Sequence, residues 1–143
     1  MAQVRGRGRL KRYVSDTQCL LWYMTQDRRL PKMARMAFQQ AKEGATQILV
    51  PSIVLVEAVF LAERQRVPRP LLNQLMALSD APDAGVRVVP LDLAVARAVR
   101  DFGPSAVPEL ADRIIAATAR ALNLPLLTTD PAIAASGLVQ VAT

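Results

Sequence analysis

The chain of 143 residues contains no histidine and only one cysteine, Cys19. Without histidine it cannot assemble a histidine-based nucleophilic triad, a histidine acid–base pair or a histidine-ligated zinc site. One cysteine excludes an internal disulfide and a cysteine-cluster metal site, and makes a reducing cytoplasm the natural setting. A membrane-spanning run is missing too. The longest apolar stretch, residues 48–62, is too short and contains Pro51 and Glu57. The N-terminus is basic, as a signal peptide's would be. Asp16 interrupts the apolar region that should follow it, so neither a signal nor a membrane role is expected.

What is present points to one globular domain. Hydrophobic residues make up 52% and charged residues 21% of the chain, enough to build a core at this length. The hydrophobic share is slightly high for a lone soluble domain and suggests a face covered by a partner. The net charge of +6 is unevenly spread, because Arg5, Arg7, Arg9, Lys11 and Arg12 precede every acid. From residue 14 onward there are 13 basic and 12 acidic residues, so the body is nearly neutral. We expect a flexible basic arm over residues 1–11 and a single domain over residues 12–143. Two readings of the arm stay open: a polyanion-attracting segment, or a passive leader.

Strand and helix patterns alternate along the chain. Tyr13–Ser15 is β-prone and ends at Asp16, and helical spacing follows through Cys19, Leu20, Trp22 and Tyr23. Pro31 opens a second helix with Met33, Met36, Ala37 and Gln40 near one face, stopped by Gly44. Gln47–Val50 reads as a buried strand, followed by a helix from Pro51-Ser52 to about Arg64. Pro68 and Pro70 start another helix, and the stretch from Arg64 to Gly85 reads as a helical pair or a clamp-like projection. A strand over Val86–Leu91 precedes a helix capped by Asp92, and residues 103–108 read as a loop. Glu109–Leu122 is an amphipathic helix, with Leu110, Ile114, Ala117 and Ala121 along one side. Leu126–Thr128 is a strand, Pro131 opens a short helix, and Leu138–Val141 is a last strand. This alternation predicts an α/β fold, with a central, mainly parallel β-sheet flanked by helices.

Four acids fall where such sheets bind ligands, outside the carboxyl ends of the strands. Asp16 follows the first strand, Glu57 lies early in the helix after the second, Asp112 opens a helix, and Asp130 follows the penultimate strand. Each has a plain structural alternative. Asp16 and Asp130 could be helix caps, Asp112 a first-turn acid favoured by the helix dipole, and Glu57 a solvated acid on an otherwise apolar helix. Gathered in one cleft, four carboxylates would raise each other's pKa values, and hard divalent cations would relieve that conflict. In a chain without histidine, metal-activated water is the most plausible nucleophile.

These segments resemble the PIN-domain family, and within it the VapC-like toxins of bacterial type II toxin–antitoxin pairs. The matching stretches are Tyr13–Thr17 with Leu20–Trp22, Ile48–Ser52 leading to Glu57, Ala111–Ala119, and Leu124–Ile133. The resemblance implies a PIN-like fold and an endoribonuclease dependent on Mg2+ or Mn2+. It places Asp16, Glu57, Asp112 and Asp130 at the family's acidic positions, and Thr17 and Thr128 at hydroxyl positions that orient them. It also implies an RNA substrate, a cognate antitoxin protein and a homodimer. The family often carries a histidine and an aspartate shortly before its Asp-Arg pair, whereas here Val107-Pro108-Glu109-Leu110 precedes Asp112-Arg113. Glu109 is therefore either a fifth acid of the site or an exposed first-turn residue. Arg113 reads as a holder of an acid or phosphate, or as half of a surface salt bridge.

Rival phosphate-handling classes lack required groups. A haloacid-type phosphatase needs a second aspartate two residues after the first, but Asp16 is followed by Thr17 and Gln18. A receiver domain needs an adjacent acidic pair and a late lysine, and the last lysine is Lys42. The alternative of a different kind is a catalytically inactive PIN-like module that binds RNA or protein.

Overall fold

The computed structural model describes residues 10–81 and 85–142. The expected basic arm lies almost wholly outside the described residues. Strand β1 (Lys11–Ser15) begins two residues earlier than the β-prone run predicted, with Lys11 paired to Thr46. The chain continues through α1 (Thr17–Met24), α2 (Lys32–Lys42), β2 (Thr46–Pro51), α3 (Ser52–Glu63) and α4 (Arg69–Met76). Then come β3 (Val86–Val89), α5 (Leu93–Val99), a 3-10 turn at Arg100–Phe102 and a short helical turn, α6 (Gly103–Ala106). Helix α7 (Leu110–Leu122), β4 (Leu126–Leu127) and α8 (Pro131–Ser136) complete the fold.

All four strands pair in parallel in the order β3-β2-β1-β4. β1 and β2 sit in the middle. Their apolar residues Val14, Ile48, Leu49 and Val50 are buried, as expected when helices cover both faces of a parallel sheet. The chain runs from β1 outward to β2 and β3, then returns past β1 to β4. A topological switch point therefore lies between β1 and β4, where open α/β sheets leave a ligand crevice at the strand carboxyl ends.

The helices follow the predicted order but not always the predicted faces. α2 buries Ala34, Ala37, Phe38 and Ala41, leaving Met33 and Met36 exposed. Tyr23 stacks on Phe38 at a ring separation of 4.4 Å, so a small-residue face lets this aromatic pair pack. Trp22 and Tyr23 are both half-buried, and Arg29 lies over the Trp22 ring at 5.3 Å. α7 buries Ile115 through Ala119, while Leu110, assigned to its apolar side, is 73% exposed. The stretch 103–108, read as a loop, contains the turn α6. The last strand shrinks to one parallel bridge between Val141 and Leu126. Pairing at the sheet edge adds few contacts there, so alternation in the sequence overstates it.

β3 approaches α2 closely at Gly85, where a Cβ would stand 2.1 Å from the Ala41 carbonyl oxygen. No side chain fits there, and Gly85 in turn accepts the Ile48 amide through its carbonyl at 2.7 Å. The stretch from Arg64 to Gly85, read as a helical pair or a projection, holds one helix among its described residues, α4, which packs against α3. Among the described residues no helix is long and apolar enough to cross a membrane.

Candidate active site

Asp16 ends β1 with its amide bonded to the Leu127 carbonyl of the β4 strand at 3.1 Å. Its carboxylate caps α1, accepting the Cys19 amide at 2.8 Å. The residue is buried, and burial raises its pKa above the usual carboxylate value. The Thr128 hydroxyl and the Cys19 amide and thiol counter that rise, and Asp130 adds to it. Burial and the neighbouring Asp16 together hold the Cys19 thiol well above its ordinary range. Cys19 is buried. Its contact with Asp16 follows from its place three residues after the cap.

Asp130 is built in the same way. It caps α8, accepting the Ala132 amide at 2.9 Å, and its own amide donates to the Thr128 hydroxyl at 3.0 Å. Thr128 is thus buried between the two capping acids. Both acids are helix caps, as the plain reading of each held, and Asp130 lies within electrostatic reach of Asp16.

Glu57 and Asp112 arrive from helices. Glu57 lies in the second turn of α3, where the Thr17 hydroxyl, forty residues away in sequence, donates to its carboxylate. Asp112 lies in the first turn of α7. Its pKa is pushed up to about 7, first by burial, then by the charges of Asp130, Glu57 and Glu109, and by a side-chain hydrogen bond with Asp130. Asp112 is therefore within electrostatic reach of two of the other predicted acids, and Asp130 of the third, Asp16. The four acids assemble at one end of the sheet.

Glu109 is exposed and occupies the N-cap position of α7 without a side-chain capping bond. It stands one residue before the first turn, close enough for its charge to raise Asp112. Arg113 departs from both readings offered for it. Its guanidinium donates twice to the Val99 carbonyl at the end of α5, at 3.1 and 3.0 Å, and so ties α7 to α5. A charged donor satisfying an orphan helix-end carbonyl explains this placement.

As they stand, no three Asp, Glu, His or Cys side chains among the described residues form a group closed enough to hold an ion. Two of the acids are tied instead to neighbours, Glu57 to Thr17 and Asp112 to Asp130. The donor set is nevertheless all oxygen, which suits a hard divalent cation. The elevated Asp112 carboxyl marks a cluster whose negative charge lacks a compensating partner. The residues fit such a cation in chemistry.

The family model for the PIN domain matches residues 13–136. The chain belongs to the PIN domain family. PIN domains are generally nucleases that use divalent metal ions. Comparison by sequence with curated proteins gives no match. Among solved structures, the fold is similar to DNA-bound VapBC from Salmonella typhimurium, with a TM-score of 0.67 and 18% identity over 93% of this chain and 97% of that one. It is also similar to promoter-bound VapBC2 from Rickettsia felis, with a TM-score of 0.66 and 14% identity over 91% and 96% of the two chains. FitAcB from Neisseria gonorrhoeae matches with a TM-score of 0.58 and 22% identity over 92% and 96%. At these identities the PIN fold is what is shared.

Proposed function

We propose that this PIN domain is an endoribonuclease that hydrolyses RNA phosphodiester bonds with Mg2+ or Mn2+, and is the toxin of a toxin–antitoxin pair in the cytoplasm. The observation that carries the reading is the gathering of Asp16, Glu57, Asp112 and Asp130 at the switch point of the sheet, where burial, and after it the like charge of its neighbours, pushes the Asp112 carboxyl up to about 7. Asp16, Glu57, Asp112 and Asp130 would hold the cation. When bound there, it supplies a water of lowered pKa and neutralises charge on the phosphate. The residues do the positioning. The caps on α1 and α8 fix Asp16 and Asp130, and Thr128 lies between them. Thr17 orients Glu57, and Asp112 approaches from α7 with no backbone partner for its carboxylate among the described residues. A solved structure of similar fold from Klebsiella pneumoniae, with a TM-score of 0.57, is a toxin–antitoxin complex, which supports a cognate antitoxin as partner. Exposed Met33 and Met36 on α2 support a homodimer through the Trp22–Met36 surface.

A second reading, an RNA- or protein-binding module with silent acids, is favoured by one observation. Two carboxylates are tied to neighbouring side chains and none closes into an ion-holding group. Cleavage of a single-stranded RNA with and without Mg2+ or Mn2+, beside thermal melting, separates the two. The nuclease reading expects cation-dependent cleavage that Asp112→Asn abolishes. It also expects a cation-induced rise in melting temperature, worth about 2.7 kcal/mol at a hundredfold excess over Kd, that the variant weakens. No cleavage and no thermal shift with either cation would favour the silent module.

A further inference from the structure

We infer that Phe60 and Arg64, on the flank of α3 that also carries Glu57, form a docking track for single-stranded RNA, with Phe60 stacking a base and Arg64 and Arg66 holding phosphates. The inference rests on the proposed RNA substrate.

α3 is apolar around most of its circumference, and its flanks are used differently. Val54 and Ala58 face the core and are buried. Val59 and Ala62 line a cavity with Arg69 and Leu72 of α4. The remaining flank carries Ile53, Glu57, Phe60 and Arg64, which fall within about 60° of one another at roughly 100° per residue. Neither the core nor α4 covers it at Phe60, which is 55% exposed, whereas Phe38 and Phe102 are 1% and 3% exposed. Leaving more than half of a phenylalanine in water forgoes much of the gain from its burial. This one stands a single turn beyond Glu57.

Arg64 follows in line, and Arg66 comes two residues later, beyond the left-handed Gln65. Arg64 caps α3 about 10 Å along the axis from Glu57, the span of about two to three nucleotides in a stacked strand. Arg64 and Arg66 are exposed. Among the described residues the ion pairs are Arg29–Asp27 and Arg120–Asp101, so both guanidiniums lack a carboxylate partner. An acidic cleft repels a polyanion, so substrate must be held by cations nearby. Arg113, beside Asp112, is committed to the Val99 carbonyl. An aromatic face followed by free arginines is how sequence-tolerant single-strand sites are built.

The test is fluorescence anisotropy of a labelled single-stranded RNA and of an abasic strand of equal length, in metal-free buffer, with folding checked by circular dichroism. Phe60→Ala should weaken RNA binding roughly 5- to 150-fold and leave the abasic strand's affinity unchanged, while Phe60→Trp should retain RNA binding. The double variant Arg64→Ala/Arg66→Ala should weaken both strands and reduce the salt slope by about 1.4. Unchanged RNA affinity in Phe60→Ala, or equal loss on both strands, overturns the inference. So does loss of self-association by light scattering with RNA affinity intact, which makes the flank a protein surface. Cleavage by the wild type with Phe60→Ala binding normally sinks the track and keeps the nuclease. RNA binding that depends on Phe60 without any cleavage keeps the track and sinks the nuclease. A wild type that does not bind RNA overturns both.

Discussion

Asp16 and Asp130 are held by backbone, whereas Glu57 and Asp112 are held only by side chains. The first pair ends strands and caps helices, accepting the Cys19 and Ala132 amides. The second pair projects from within α3 and α7, bonded to Thr17 and to Asp130. A capping acid stabilises the fold whether or not a cation is present, because it satisfies an orphan amide. An acid within a helix that faces other carboxylates adds mainly repulsion until a cation arrives. Two acids of one site thus contribute to stability with opposite signs, and activity alone does not distinguish them.

The largest expected effect is on the capping side. Asp16→Ala should lower stability by about 1–2 kcal/mol, and Asp130→Ala by about 1 kcal/mol because that cap is less buried. Thermal melting of the metal-free protein measures both. An Asp16→Ala protein as stable as the wild type would break the contrast.

Asp112→Asn should move the other way. The folded carboxyl holds its proton up to about pH 7, whereas the unfolded chain releases it near 3.8. Between those values the native state carries the extra proton, so stability of the metal-free wild type falls as pH rises through that window. Asparagine can donate to Asp130 without titrating, so the variant should lose this slope. It should be roughly 1 kcal/mol more stable at pH 8, a figure discounted for the half-exposed site, and should differ little from the wild type at pH 4. Melting curves at the two pH values give the comparison. A variant less stable than the wild type at pH 8 would make Asp112 a structural aspartate.

Thr17→Val should have the smallest effect. It removes the Glu57 donor at nearly constant volume, for a loss of roughly 0.5–1.5 kcal/mol, while Thr17→Ser should restore the bond. Equal stabilities for all three chemically distinct side chains would mean that Thr17 does not hold Glu57.

Much of the fold was legible because its signals are local. Proline before α2 and α4 and at the first position of α8, Gly44 after α2, and Asp92 before α5 mark element ends through backbone geometry within a few residues. The faces were less legible. Met33 and Met36 carry the apolar signal on α2, yet the face that packs inward is that of its alanines and Phe38. Leu110 was placed with the core from its spacing, but the helix meets the sheet a turn later, at Ile115.

By itself, the sequence determined which acids sit at strand ends and helix starts, since a cap or a strand terminus depends on residues within three or four positions. It also restricted the chemistry to oxygen ligands, because histidine is absent and cysteine nearly so. Only the tertiary structure decided that β4 returns beside β1, which brings Asp130 and Asp112 to Asp16 and Glu57. It likewise decided that Thr17 serves Glu57, that Arg113 serves a carbonyl, and that Phe60 stays in water. These outcomes depend on crossovers between segments far apart in the chain, and no local pattern encodes the surface that a side chain will meet there.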